Sequence, residues 1–344
     1  MDFQIVNPRD HPDWDEMLLS SNDHSFFHTS AWSKVLESTY RFQPLYFARF
    51  EESRFSFLMP LMEVRSPVTG RRGVSLPFTD HCVPFAAQDH FLDAAVGEAI
   101  ERGRKAKWKY LEWRDGRYFA EGVPAREEFY VHDVDLDKTE TALFANLSNN
   151  NRRNVKKAAR EGVAVKIETS PDSVREFYRL NCLTRKRHGL PPQPYSFFKN
   201  VHELIIQPGR GIVVSASHKG MTVASSVFFH FGTAALYKYG ASNLEHQHLR
   251  ANNLVMWEAM KWYRNQGVKT LSLGRTEMEN PGLLQYKRTW GAKESRIRYF
   301  RYDTARKVFL EKHPAREGLH NKVFSRTPAP ALRLIGRALY KHIG

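Results

Sequence analysis

The chain has 344 residues, of which 42% are hydrophobic and 13% aromatic, enough for two domains with their own cores and too many for a disordered chain. It carries 52 Lys and Arg against 37 Asp and Glu, a formal net charge of +15 that favours RNA, nucleotide phosphates or an anionic membrane surface as partners. A basic soluble enzyme without such a partner is the alternative interpretation.

The cysteine pattern indicates a reduced compartment. Cys82 and Cys182 are the only two cysteines and neither belongs to a C-x-x-C pair. The N-terminus is polar and acidic rather than a secretory signal, and no stretch approaches the roughly 18 apolar residues of a membrane-spanning helix. We therefore expect a cytoplasmic protein, at most peripheral at the inner membrane face.

The 15 histidines lack metal-ligand spacing, so we expect no metal and no tightly bound cofactor.

The first half of the chain has the pattern of a mixed α/β domain. Ser30 is the predicted N-cap of the first helix. The hydrophobic periodicity predicts helices over 29–37 and 91–107, and strands over 45–50, 55–62, 73–76, 110–113 and 129–136.

From Thr139 to Gly162 the pattern is helical and basic. Phe144, Leu147, Val155 and Ala158 lie close to one predicted helical face. Phosphate contacts come mainly from Arg and Lys, so Arg152, Arg153 and Lys156 are candidates for binding an RNA backbone. A solvated helix face is the competing interpretation.

The second half repeats this order of elements. The pattern predicts helices over 171–187, 197–206 and 252–266, and strands over 211–217, 221–231, 234–239, 270–273 and 296–302. We therefore predict an α/β (mixed α+β) fold of two tandem domains, each a mostly antiparallel mixed sheet flanked by helices. The predicted domains are 1–145 and 146–305, followed by a basic C-terminal extension, 306–344.

The extension holds nine Lys or Arg against two Glu. Leu332, Ile335, Leu339 and Ile343 share one face of a predicted amphipathic helix. A helix lying on anionic lipid and a helix packed back on the domain both fit this pattern.

Several catalytic motifs are absent from the sequence. It contains no P-loop, no G-x-G-x-x-G after a strand, no G-x-S-x-G and no H-E-x-x-H. An enzyme that forms a bond with these residues must therefore use a donor activated elsewhere.

The stretch from Ser272 to Gly291 is the most informative. A predicted strand ends at Gly274, and Arg275 follows it at a usual position for substrate contacts. Pro281 opens a short predicted helix that presents Tyr286 and Lys287. A partly desolvated Lys287 ammonium would stabilise the oxyanion formed when an amine attacks an ester, whereas a plain surface lysine is the alternative.

Other candidate residues lie outside this stretch. Arg185 and Arg187, like Arg275, would hold an anionic part of the donor or acceptor, unless they face solvent. Tyr237 and Tyr239 alternate on one strand face and would wall the pocket, although core packing explains them equally. Asp80 would accept a proton from the attacking amine, although a loop Asp more often forms an Asx-turn.

Five motifs, in order over about residues 1–303, resemble the FemAB-like aminoacyltransferases of peptidoglycan bridge formation and their uncharacterised relatives in the acetyltransferase (GNAT) superfamily. The motifs are Trp32 in H-T-S-A-W, L-P-F-T-D at 76–80, N-x-R-R-N-x-x-K-A-x-x-x-G-V at 150–163, T-R-x-R-H-G-L-P at 184–191 and G-L-x-x-Y-K-x-x-W-G at 282–291.

The resemblance implies two tandem GNAT-like domains and transfer from aminoacyl-tRNA onto an amine of a cell-envelope precursor or peptide. The family's aromatic–lysine pair, whose lysine is thought to stabilise the transition state, matches Tyr286-Lys287. Trp32, His188 and Tyr239 join the substrate-binding candidates.

Two alternatives remain, and neither implies a DNA partner. One is an acyl-CoA-dependent N-acyltransferase, although the expected glycine cradle reads H-Q-H-L-R-A-N here. The other is a non-catalytic RNA- or membrane-binding module.

Overall fold

The computed structural model describes residues 3–21, 23–52, 54–86, 89–115, 119, 122–312 and 320–343. The strands are β1 Gln4–Val6, β2 Gln43–Pro44, β3 Tyr46–Glu51, β4 Arg54–Met59, β5 Met62–Ser66, β6 Gly70–Val74, β7 Phe85–Ala86, β8 Tyr110–Arg114, β9 Glu127–Asp135, β10 Ala164–Glu168, β11 Gly211–His218, β12 Met221–Phe231, β13 Ala234–Ser242, β14 Thr270–Glu277, β15 Lys293–Asp303 and β16 Val308–Phe309. The α-helices are α1 Trp14–Leu19, α2 Ser30–Tyr40, α3 Asp89–Lys105, α4 Glu140–Asn146, α5 Asn149–Arg160, α6 Pro171–Arg187, α7 Tyr195–Val201, α8 Ala251–Asn265, α9 Pro281–Arg288, α10 His320–Arg326 and α11 Ala329–Leu339.

The described residues form two compact units that interleave along the chain. The first lies within Met1–Phe129, Arg296–Arg316 and Ala338–Gly344, and the second within Tyr130–Ser295 and Glu317–Arg337. The predicted domains are continuous segments, and their boundaries stay a prediction.

The first unit has two groups of paired strands. One has the order β1-β3-β4-β7 and is antiparallel throughout. In the other, β8 pairs with β15 antiparallel and with β6 parallel, and β6, β5 and β2 follow as antiparallel neighbours. Phe47, Phe57, Phe91 and Trp113 belong to its core.

The second unit is built on the strand order β10-β11-β12-β13-β14-β9. The pairs from β10 to β13 are antiparallel, whereas β13 and β14 are parallel. Residues of α5 and α8 form the core on one sheet face, as Val155, Val255 and Met260 illustrate. On the opposite face, Phe177 of α6 and Phe198 of α7 pack against Tyr239. The predicted mixed fold of mostly antiparallel sheets flanked by helices is therefore confirmed.

Three local predictions are corrected by the structure. Thr29, not Ser30, caps α2, since its extended backbone directs Oγ1 to accept from the Trp32 N–H at 3.3 Å. The helical pattern after Thr139 is two helices, because Leu147 is extended and the Ser148 hydroxyl caps the second. Strand β14 continues through Gly274 to Glu277 rather than ending at the glycine.

The C-terminal segment does not present its predicted apolar face uniformly. Leu332 is 1% exposed, whereas Leu339 is 37% and Ile343 48% exposed. A Cβ at Gly336 would lie 1.9 Å from the Pro192 carbonyl oxygen, so this part of α11 packs directly on the second unit. The packed-back interpretation is therefore correct for Leu332, and contact with a membrane stays a prediction. None of the helices in the described ranges combines the length and the apolar composition of a membrane-spanning segment.

Candidate functional site

A cavity of about 870 Å³ opens in the second unit beside β13. The parallel pairing of β13 with β14 is limited to Ala234–Leu236 against Thr270–Ser272. Beyond this pairing with β14, Tyr237, Gly240, Ala241 and Ser242 of β13 line the cavity. The parting of two parallel strands thus exposes strand surface and backbone to a ligand.

Three helices begin at this cavity. Residues from the first turns of α5, α8 and α9 line it. Ser148 caps α5 and Asn280 caps α9, whereas the N-cap of α8, Arg250, is left-handed with φ 59° and makes no side-chain cap hydrogen bond. Helix N-termini carry partial positive charge and free N–H donors, so the part of the cavity beside these three helix starts attracts anionic groups.

The polar lining consists largely of neutral amides. Seven asparagines contribute: Asn150, Asn151, Asn154, Asn243, Asn252, Asn253 and Asn280. Arg187 and Arg250 supply charge, and no Asp, Glu or Lys of the described residues lines the cavity. Amides, hydroxyls and helix termini suit phosphate and sugar hydroxyl groups, whereas a carboxylate would repel an anion.

A buried asparagine joins the starts of α5 and α8 to the C-terminal end of α9. Asn151 is 2% exposed, and its amide donates to the Thr289 carbonyl at 3.2 Å and hydroxyl at 2.9 Å. The Asn253 amide donates to its side-chain oxygen at 3.0 Å, and the Thr289 hydroxyl donates to the Tyr286 carbonyl. The chain of hydrogen bonds links α5, α8 and α9.

A β-bulge separates the two tyrosines of β13. Val227 pairs with Tyr239 and Phe228 with Tyr237, so Lys238 is an extra residue. Tyr237 therefore faces the cavity side, where its ring contacts Phe228, and Tyr239 faces α6 and α7. The prediction that both share one face is wrong, since the bulge shifts the alternation by one residue.

Glycine is required opposite Tyr237. A Cβ at Gly240 would lie 1.8 Å from the Tyr237 hydroxyl oxygen and 2.8 Å from Cζ. Burial raises the pKa of Tyr237, and a hydrogen bond with Ser226 opposes that rise. The phenol is thus neutral and fixed in the cavity wall.

Tyr286 and Lys287 point in different directions from α9. Tyr286 lines the cavity, and burial raises the pKa of its phenol. Lys287 is not among the lining residues; it is 4% exposed, and its ammonium donates to the carbonyls of Gly274 at 2.8 Å and Arg275 at 2.9 Å. The predicted desolvation of Lys287 is confirmed, whereas its catalytic role stays a prediction.

Sequence reasoning missed the group beside Lys287. Burial lowers the pKa of His132, and the Lys287 ammonium lowers it further. His132 Nε2 lies 3.0 Å from Glu294, to which Arg288 also donates at 2.9 and 3.0 Å. Because these residues lie on β9, α9 and β15, only the fold brings them together.

The other predicted residues divide by position. Arg187 and His188 line the cavity, and burial lowers the pKa of His188, with Arg187 and Arg185 lowering it further. The Arg185 Nε–H donates to the Pro191 carbonyl at 3.4 Å, and Arg185 does not line the cavity. Arg275 lies within β14 and does not line the cavity either.

Two predicted residues lie in the first unit. Trp32 is fully buried against Phe26 and Phe27, so core packing accounts for it. The carbonyl of Asp80 accepts a hydrogen bond from the Tyr299 hydroxyl. Their predicted roles in binding and catalysis stay predictions.

The predicted phosphate-binding residues do come together. Arg152, Arg153 and Lys156 line a surface depression of about 660 Å³ beside Phe144 and Asn149. The Lys156 ammonium lies 5.8 Å from the centre of the Phe144 ring. RNA binding there stays a prediction.

Comparison with known proteins gives the fold a family context. Residues 145–288 match the family model described as acetyltransferase (GNAT) domain. The chain is 20% identical over 226 residues to the lipid II:glycine glycyltransferase of Staphylococcus haemolyticus (strain JCSC1435); the match covers 45% of this chain and 54% of that protein. It thus spans about half the length of the curated relatives it matches.

Solved structures extend the likeness over most of the chain. The crystal structure of FemX superposes with a TM-score of 0.66 at 14% identity, covering 87% of this chain and 97% of FemX. A tandem GNAT protein from the clavulanic acid biosynthesis pathway gives a TM-score of 0.53 at 11% identity, covering 92% and 99%. These likenesses show the tandem GNAT fold that the sequence resemblance implied.

Proposed function

We propose that this chain, which has a GNAT-type domain over 145–288, is an N-acyltransferase that moves an aminoacyl group from aminoacyl-tRNA onto an amine of a cell-envelope precursor or peptide. The observation that carries the proposal is the cavity of the second unit, which three helix N-termini and seven asparagines surround, with no carboxylate from the described residues in its lining. Such a lining suits the phosphate and sugar of an activated donor.

The acceptor is proposed from the relatives. The staphylococcal relatives are named lipid II:glycine glycyltransferases, and FemX is a structural neighbour. We extend this acceptor class, an amine on a cell-envelope precursor, to the present chain.

Lys287 is the proposed electrostatic catalyst. The acceptor nitrogen attacks the ester carbonyl carbon, the C–N bond forms, and the carbonyl oxygen becomes an oxyanion. The C–O bond to the ribose then breaks, and the proton lost by the amine ends on the leaving oxygen. The Lys287 ammonium is nearly water-free and already donates to two carbonyls, and the proposal requires the ester carbonyl of the donor to reach it beyond the lining of the cavity. Asp80 as the proton acceptor is a separate proposal, tested by Asp80→Asn.

An acyl-CoA donor is the second candidate. The uncapped N-terminus of α8 also suits a pyrophosphate, and the matching family model is described as an acetyltransferase domain. The lack of glycine in H-Q-H-L-R-A-N, residues 246–252, favours the tRNA ester instead.

Donor consumption decides between these functions. The full chain is incubated with tRNA charged with labelled amino acids, or with labelled acetyl-CoA, together with extracted cell-envelope precursors. Acceptor-dependent deacylation of the tRNA and a labelled amide product support the proposal. Consumption of acetyl-CoA alone supports the second candidate, and consumption of neither donor favours a non-catalytic module.

A further inference from the structure

We propose that a basic surface on the first unit binds the phosphate backbone of RNA. The inference rests on the proposed function in one respect, since the RNA is taken to be the body of the tRNA donor. The surface consists of two neighbouring depressions of about 460 and 650 Å³, which share Glu101, Lys105 and Trp108 in their linings. We call it the α3 surface, because residues of the C-terminal turn of α3 line both depressions.

Cations outnumber carboxylates in the lining of the α3 surface. Its eight cations are Arg65, Arg71, Arg102, Arg104, Lys105, Lys107, Lys109 and Lys307, and its three carboxylates are Glu63, Glu98 and Glu101. The excess of five positive charges produces a positive potential in a concave site, which concentrates polyanions.

Two of the carboxylates are already paired. Glu63 is bound by Arg65 at 2.8 Å and lies 3.6 Å from Arg71. Glu101 is bound by Arg104 at 2.7 Å and lies 3.7 Å from Lys105.

The remaining cations are the ones offered to a ligand. Within the described part of the chain, Arg102, Lys107, Lys109 and Lys307 have no carboxylate within ion-pair distance. Four unpaired cations in adjoining depressions are better explained by an anionic ligand than by a solvated helix face, where ion pairs with neighbouring turns are usual.

The backbone that carries these lysines is fixed. The Trp108 N–H donates to the Gly103 carbonyl and the Lys109 N–H to the Arg71 carbonyl, each at 2.8 Å. The Lys109 carbonyl accepts from the Thr304 N–H at 3.3 Å, which ties this turn to the segment that ends in Lys307. Positions held in this way need little further ordering when a ligand binds.

The apolar part of the lining argues for RNA rather than a lipid bilayer. It consists of Ala106, Ala305 and Trp108, and Trp108 is 2% exposed with its Nε1–H donating to Glu63 at 3.1 Å. Among the described lining residues, the surface therefore offers no large apolar side chain to insert into a membrane and no exposed aromatic ring to stack on a base. A phosphate backbone, bound without sequence preference, fits both facts.

The test measures binding of a fluorescent, uncharged tRNA transcript across a salt series. The variant is Lys107→Ala/Lys109→Ala/Lys307→Ala, and the matched control, Lys34→Ala/Arg54→Ala/Lys166→Ala, removes the same charge from exposed positions outside both basic depressions. We expect the slope of log K against log salt to fall by about 2 for the first variant, with roughly tenfold to hundredfold weaker binding at 0.1 M salt. The control should retain the wild-type slope.

Equal slopes for the two variants would overturn the inference. So would loss of binding to vesicles of equal phosphatidylglycerol and phosphatidylcholine with tRNA binding unchanged, because the surface would then serve a membrane. The proposed function fails separately: a chain that consumes no charged tRNA but loses tRNA binding in the first variant leaves this inference standing. If the wild-type chain transfers the aminoacyl group but the first variant binds tRNA normally, the proposed function is supported and the inference about the α3 surface is wrong.

Discussion

The side-chain amide of Asn253 donates to the side-chain oxygen of Asn151, 3.0 Å away, and so joins the first turn of α8 to that of α5. Asn151 also donates twice to Thr289, so one buried side chain uses both its acceptor and its donors. We infer that it positions the cavity wall rather than reacting with a ligand.

Replacing Asn151 with Ala should therefore destabilise the protein. The change leaves the Asn253 amide and the Thr289 groups without their partner, which costs roughly 2–3 kcal/mol of unfolding free energy. Urea denaturation measures this loss. Asn150→Ala, at an exposed neighbour in the same cavity, serves as the control and should change stability by less than about 0.5 kcal/mol. Equal losses in the two variants would contradict the assigned role.

Gly240→Ala should weaken donor binding by displacing Tyr237. The added Cβ cannot coexist with a hydroxyl oxygen 1.8 Å away, so the ring must move within the cavity wall. We expect a rise in the donor KM. Adding Tyr237→Phe removes the closest clashing atom and should restore part of the affinity. The donor KM is measured for the single and the double variant. If Tyr237→Phe does not lower the KM of Gly240→Ala, the clash does not involve the Tyr237 hydroxyl.

Lys287→Met should abolish most turnover without unfolding the protein. Methionine approximates the lysine stem but lacks the ammonium, so the oxyanion loses its proposed electrostatic partner and kcat should fall about 10²–10³-fold. Stability should fall by roughly 1–3 kcal/mol, because the carbonyls of Gly274 and Arg275 lose their donor, but the variant should stay folded. Single-turnover kinetics and a thermal melt measure the two effects. Retained kcat in a folded Lys287→Met variant would remove the lysine from the mechanism.

The stability of the first unit should depend on pH through His28. Its Nε2 lies 2.8 Å from the Val83 carbonyl, and its Nδ1 accepts from the Ser25 N–H at 3.1 Å, an arrangement that requires the neutral ring. Burial lowers the pKa of His28 to about 4. Between that pH and about 6.5 the unfolded chain binds the extra proton, so stability falls as the pH drops through this range, by up to about 3 kcal/mol.

Denaturation at pH 7.5, 6 and 5 measures this dependence. His28→Gln supplies a neutral donor and acceptor, so the variant should lose the part of the slope that His28 causes. A variant with the wild-type slope would show that other groups cause the acid sensitivity.

Strong local signals made most of the fold predictable. Helix α6 occupies its predicted range, 171–187, and the structure shows Ser170 as its N-cap and Pro171 in its first turn. The break at Leu147–Ser148 was missed, since the apolar spacing continues across it and only the capping hydroxyl interrupts the helix.

The candidate site was predictable only in part. Arg187, His188 and Tyr286 were placed near a ligand, and all three line the cavity. The cavity asparagines were not predicted as site residues, because an isolated Asn in a sequence usually signals a cap or a turn. They come together only because three helices start at one place, which depends on the tertiary structure. His132 was missed for the same reason, since it meets Lys287 only through the pairing of distant segments.

The extra residue in β13 has a consequence for comparisons among distant relatives. Lys238 is the residue that puts the two tyrosines on opposite faces, with Tyr237 in the cavity wall and Tyr239 in the packing against α6 and α7, whereas a regular strand with the same spacing would turn both to one face. A misplaced alignment gap at this position would align a residue that lines the cavity with a residue that packs in the core. At this strand, homologues of this chain are therefore better aligned by the sheet face to which each side chain points than by residue identity.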